Sequence, residues 1–189
     1  MTKLAISQNR DADKLLSNSP LALLIGLVLD QQITLEKAFT APLLLSQRLG
    51  EKLDAKNIAS LDPVRLEQIF ADKPALHRYP ASMAKRVQEV CTVIATDYGN
   101  NTSQLWQNAK DGKELYGRIK KLPGFGDMKA RIFVALLGKQ LGVDIPGWRE
   151  VSQPFGEPGT FRSLADITDP DSLLKVREFK AEMKAKTVK

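Results

Sequence analysis

Apolar residues recur at intervals of three and four along most of this chain, and the breaks in that rhythm divide it into helices. The clearest stretch runs from Leu115 to Leu141. Leu115, Ile119 and Leu122 mark the inner face of one predicted helix, and Ala130, Phe133, Val134, Leu137 and Leu141 that of a second. Between them stands Leu122-Pro123-Gly124-Phe125-Gly126, where proline ends the first helix and the glycines permit backbone angles and close approaches that side chains forbid. Upstream, Ser19-Pro20 predicts a capped start for a central buried helix carrying Leu21, Leu24, Ile25, Val28 and Leu29. Polarity returns abruptly at Asp30-Gln31-Gln32-Ile33-Thr34.

Thr34 caps a helix predicted from Leu35 to about Leu49, which Pro42 kinks or shortens. Asp62-Pro63 opens another to about Phe70. Pro80 opens a long one, Ala81 to Tyr98, with Met83, Val87, Val90, Cys91, Ile94 and Ala95 inward. A turn or two is expected over Asp11 to Leu16, and a short helix through Leu105 and Trp106. Asp169-Pro170 starts a last helix to about Lys186, whose Leu173, Val176, Phe179 and Met183 leave a basic outer face. Leu4-Ala5-Ile6 reads as a small strand, but period-two alternation persists nowhere. An all-α architecture is therefore predicted, as a single domain over residues 1–189 or as two small lobes, with the paired helices at 113–141 and the basic C-terminal helix at 170–186.

Charge adds a partner to this picture. The formal net charge is +6. From Lys110 to Arg131 seven Lys/Arg stand against three Asp/Glu, and from Lys175 to Lys189 six against two, so each window carries 7 − 3 = 6 − 2 = +4 and the rest of the chain sums to −2. The amides that begin the second helix of the pair have no acceptor of their own and lie at the positive end of its dipole, a ready site for a phosphate oxygen. A positive field beside such amides predicts a polyanion, and specifically a nucleic-acid backbone held without base reading. Asp127 opposes this, because it would repel a phosphate bound at the helix start. The alternative is that the basic residues simply solvate helix faces.

Composition narrows the classes further. Hydrophobic content of 43% and charge of 26% are ordinary for a soluble globular protein. The apolar run Leu21 to Leu29 is too short to span a bilayer, and the N-terminus lacks the charge-then-apolar order of a signal peptide, so a cytoplasmic protein that does not engage membranes is expected. Cys91 is the single cysteine, which excludes an internal disulfide and a four-cysteine zinc or iron–sulfur site; no metal or cofactor is expected. Cys91 is expected to be buried in its helix.

Three features in order carry a family resemblance. They are the hairpin Leu122-Pro123-Gly124-Phe125-Gly126 followed by Lys129-Ala130, the apolar helix ending in Asp30-Gln31-Gln32-Ile33, and Met83-Ala84-Lys85-Arg86-Val87 on the long helix before the hairpin. Together they span about residues 20 to 150, and they resemble the HhH-GPD superfamily of base-excision DNA glycosylases, most of all a small subfamily usually described in actinobacteria. The resemblance implies a two-lobed helical glycosylase-like fold with a helix-hairpin-helix motif, a monomer acting on double-stranded DNA, and hydrolysis of the N-glycosidic bond of a damaged base. It implies DNA contacts at Gly124, Gly126, Met128, Lys129 and Arg131, with Gln31 or Gln32 filling the gap left by an extruded nucleotide. Tyr79 and Trp148 are the loop aromatics that would line a base pocket, or else pack; His77 would meet a phosphate or base edge, or neither.

The chain departs from the family in two ways. Bifunctional members place a lysine nucleophile two residues after the second hairpin glycine, where this chain has Met128; Lys129 is one place on and about 100° around the helix, so it is expected to point elsewhere and no Schiff-base lyase chemistry is predicted. The family's catalytic Asp falls at a position occupied here by Pro146-Gly147-Trp148. Asp144 is then the best substitute carboxylate, Glu150 and Asp30 weaker ones, and Asp144 capping a turn is the alternative. A non-catalytic DNA or lesion binder that kept the fold and lost the acid therefore stands beside the glycosylase, with a protein-interaction role third.

Overall fold

A computed structural model describes residues 3–187, and Lys189 of the C-terminal basic window lies outside them. Among the described residues the chain is all-helical, with no strand. The helices are α1 (Arg10–Asn18), α2 (Pro20–Leu29), α3 (Leu35–Leu49), α4 (Ala55–Ser60), α5 (Pro63–Ala71), α6 (Pro80–Asp97), α7 (Gln104–Gln107), α8 (Gly112–Lys120), α9 (Asp127–Gln140), α10 (Trp148–Val151) and α11 (Pro170–Thr187), with one 3-10 turn at Leu164–Asp166 before α11.

Local chemistry sets most of the starts. The side chains of Asn9, Ser19, Thr34, Asp54, Asp62 and Asp111 each accept from an amide in the first turn of the helix they precede, and Pro stands in the first turn of α2, α5 and α6. α3 runs through Pro42 to Leu49 and closes on Gly50 in the left-handed region, so the proline does not shorten it. Leu4 and Ile6 are buried, but their segment finds no partner strand; the Leu4 amide donates instead to Ser17 Oγ at 2.9 Å. The expected strand is therefore an irregular segment pinned to α1. On α11, Leu173 and Val176 are buried as expected, whereas Met183 is 47% exposed.

α2 is buried from Leu21 to Leu29 and packs on α1, α3 and α6, while α4 and α5 cover other faces of α6. A second group forms around α9, which packs on α8, α10 and the 3-10 turn. Gly138 on α9 permits one close approach, since a Cβ there would lie 2.5 Å from the Trp148 ring. α11 leaves the 3-10 turn and runs back to α3, where Arg177 pairs with Glu36. Cys91 is buried, and burial pushes its thiol up to about 12, an inert core residue. Among the described residues no single helix is long and apolar enough to cross a membrane.

Candidate nucleic-acid interface

The α8–α9 connection is a tight turn. The Phe125 amide donates to the Leu122 carbonyl at 3.0 Å, with Pro123 and Gly124 as the central residues and Gly124 at φ 80°. That left-handed angle after proline is the type II arrangement that needs glycine. Leu122 and Phe125 point into the core, and Phe125 packs 6.4 Å from Phe133, so the turn is anchored from beneath. Gly126 precedes α9 in an extended conformation and gives it no side-chain cap. Among the described residues the amides of Asp127, Met128 and Lys129 find no acceptor, and Met128 is 66% exposed. Asp127 and Met128, which carry two of these nitrogens, are exposed residues. Arg86 from α6 lies along the turn, close enough that a Cβ on Gly124 would come within 2.9 Å of its Cδ.

The Asp127 carboxylate is tied to the Tyr116 hydroxyl and to Arg131 Nε at 2.8 Å. Hydrogen bonds from Arg131 and Tyr116 hold its pKa below the usual carboxylate range. Arg131 also donates through one terminal nitrogen to the Val151 and Gln153 carbonyls, both at 3.2 Å. It is a strut between α9 and the segment after α10 rather than a free phosphate ligand, and that corrects its expected role.

Opposite the hairpin, α2 ends in a polar turn. The Val28 carbonyl accepts from Gln31 Nε2 at 3.1 Å and from Lys129 Nζ at 3.4 Å. Gln31 also reaches the Met83 sulfur at 3.3 Å. Of the two glutamines, Gln31 thus caps the helix with its side chain turned inward. Gln32 is exposed, at φ 57°, and is the one presented to solvent. Lys129 lies 5.7 Å over the Phe125 ring and is half-buried. Lys129 points in a different direction from the exposed Met128: it sits four residues before Phe133, on the inward side of α9.

Lys129 and Asp30 act on each other there through their charges. Burial raises the Asp30 pKa, opposed by the charges of Lys180 and Lys129, and the carboxylate accepts no hydrogen bond among the described residues. Burial also lowers the Lys129 pKa, opposed by Asp30 and reinforced by Arg86. Burial thus shifts two electrostatically coupled groups toward their neutral forms, one at the end of α2 and one in the first turn of α9. α11 adds the charge of Lys180 to Asp30.

The remaining candidates divide. Tyr79 is 43% exposed, with its ring 6.1 Å from His77 and Arg78 5.5 Å over its face, so it stands on the same rim. His77 is 1% exposed, so its ring cannot itself meet a phosphate or a base edge. Trp148 is only 6% exposed; it packs on Gly138 and carries Arg149 4.3 Å over its ring, so it is core and cannot line a base pocket. Asp144 is exposed on the loop after α9. Its neighbour Val143 lines a cavity with Pro20 and Leu23 at the start of α2, whereas Lys129 meets the end of α2. Leu141 lies about 18 Å along the helix from Lys129. The structure therefore links Gln31 to Lys129 through the Val28 carbonyl and to Tyr79 through His77, with Asp30 and Gln32 flanking Gln31 and with Gly124, Gly126 and Met128 on the hairpin that leads to Lys129, and leaves Asp144 and Trp148 elsewhere. Compared with known proteins, the chain matches no family model, no curated protein and no solved structure.

Proposed function

We propose that this protein binds double-stranded DNA through the α8–α9 hairpin and releases a damaged base from it, as a metal-free, monomeric N-glycosylase with the two-lobed fold of the HhH-GPD kind. The observation that carries the reading is Asp30: a half-buried carboxylate that accepts no hydrogen bond among the described residues, electrostatically coupled to Lys129 at the end of α2, where the Val28 carbonyl accepts from Lys129 Nζ. The first amides of α9 hold a phosphate, and Gln32 and Tyr79 meet the bases at the gap. Asp30 stabilises the positive sugar that forms as the C1′–N bond breaks and its electron pair leaves on the base. Water adds to C1′; Asp30 takes its proton and passes it to the departing base, so atoms and charge balance.

The test is a panel of duplex oligonucleotides bearing uracil, alkylated or oxidised bases, followed by alkali, which breaks strands wherever a base is lost. Cleavage at one or more lesions is expected. Borohydride is expected to trap no complex, because Met128 stands two residues after the second hairpin glycine and Lys129 is turned inward to the Val28 carbonyl. A crosslink lost in Lys129→Ala would reverse that expectation.

A second reading, a lesion binder without catalysis, is favoured by one observation. The residues at the family's acid position are Pro146, Gly147 and the core residue Trp148, so no carboxylate can reach the site from that loop. Silence across the panel with DNA binding intact would select it. Both readings share one result: duplex affinity falls steeply with salt, and Arg86→Ala weakens binding on all sequences alike while reducing the salt slope by about 1. Equal affinity at low and high salt would remove the DNA assignment altogether.

A further inference from the structure

The α2–α3 turn and the loop before α6 meet through one buried ring. His77 Nε2 lies 2.9 Å from the Gln31 carbonyl, and the Tyr79 amide lies 3.0 Å from His77 Nδ1. The amide can only donate and the carbonyl can only accept, so Nδ1 is bare and Nε2 carries the hydrogen: one neutral tautomer satisfies both contacts. On one side of that ring, the residue after Gln31 is Gln32, an exposed amide held in the left-handed region. A non-glycine residue persists there only where its surroundings fix it, at a cost of about 1 kcal/mol or more. On the other side stands Tyr79, with an exposed ring. A polar probe and a stacking probe are thus fixed on one rim by the same imidazole.

Resting on the DNA-binding reading, we propose that His77 is the positioning residue that sets Gln32 and Tyr79 as a joined reader of an unpaired nucleobase, and that the reader works only with the imidazole neutral. The Gln32 amide can both donate to and accept from an orphaned base edge, and the Tyr79 ring can stack on a base face. Protonation of Nδ1 would turn one N–H against another and release the Tyr79 backbone. The groups around the ring oppose that proton. Lys37 on α3 and Lys129 on α9 bring positive charge; Arg78 adds another cation on the loop itself; Met83 on α6 is apolar; the backbone carbonyls of Gln31 and Leu29 oppose them, and Asp30 is the chain neighbour of Gln31. Burial moves the His77 pKa down in the same direction.

The experiment compares affinity for a duplex carrying one unpaired thymine, a base that does not titrate in this range, with affinity for the fully paired duplex. Wild-type protein is expected to prefer the unpaired thymine, and to lose about tenfold of that preference between about pH 7.5 and about pH 5. His77→Ala is expected to lack the preference at every pH while binding paired duplex within about twofold of wild type. His77→Gln, which keeps a neutral donor, is expected to recover part of the preference with no pH dependence. Gln32→Gly, which relieves the left-handed strain but removes the amide, should lose the preference without losing stability. Repeating the pH series in Asp30→Asn separates the imidazole from the neighbouring carboxylate, and the profile should persist.

A folded His77→Ala protein with wild-type preference overturns the proposal, as does a wild-type preference that is flat with pH. If His77→Ala does not fold, the wild-type pH profile and Gln32→Gly decide. Failure to bind paired duplex at all would instead sink the DNA reading, and the reader with it.

Discussion

Replacing Asp30 by asparagine is expected to lower base release about 10³-fold while leaving duplex affinity within about threefold. The change keeps the shape of the side chain and removes only its charge, which is what the developing positive sugar would meet. The variant is also expected to be more stable than wild type near neutral pH. Burial raises the Asp30 pKa in the folded state, so the folded protein binds more protons than the unfolded chain from the ordinary carboxylate pKa upward. Stability therefore falls as pH rises through that window, and an amide removes the loss. Lower activity together with higher stability marks a residue kept for function. Single-turnover rates and urea melts of the two proteins, with Asp144→Asn as a control that should keep the wild-type rate, make the check. An Asp30→Asn protein that still releases base at the wild-type rate would remove Asp30 from the chemistry.

What the sequence made legible was chiefly local. Ser19-Pro20, Thr34 and Asp62-Pro63 mark helix starts because capping involves residues three or four apart, and the amphipathic spacing of α6 and α9 depends on nothing beyond each helix. The hairpin was legible for the same reason, since a proline followed by a glycine at positive φ needs no distant partner. α4 was missed because six residues carry too little periodicity to register. The site was less legible because its parts meet across long separations. The role of His77 depends on a carbonyl 46 positions away, and that of Lys129 on one 101 positions away. Asp144 was favoured for its nearness along the chain to the family's acid position, but α9 carries that loop to the far end of α2. Asp30 offered a usable signal: it is the first polar residue after nine apolar ones, where a helix must end inside the protein.

Removing the ammonium of Lys139 should have the largest effect on stability, because α11 and hence Lys180 depend on the buried pair that it makes. Lys139 Nζ lies 2.5 Å from Asp166 Oδ1, with side-chain exposures of 12% and 4%. The other Asp166 oxygen accepts from the amides of Arg162 at 2.8 Å and Ser163 at 3.1 Å, closing the capping box of the 3-10 turn. Gln140 fastens the same turn to α9 through the Ala165 carbonyl at 2.8 Å. Lys139→Met preserves most of the packing yet leaves a carboxylate charge buried without its counter-ion, a change that costs about 3 to 5 kcal/mol. For a chain of this length that corresponds to a fall in Tm of roughly 6 to 15 °C, with the urea midpoint lowered at unchanged slope. Adding Asp166→Asn removes the stranded charge and keeps an acceptor for the turn, so the double variant should recover all but about 1 kcal/mol. A loss below about 1 kcal/mol in the single variant would mean that the pair is solvated and that α11 is held by Leu173, Val176 and the Arg177–Glu36 contact alone.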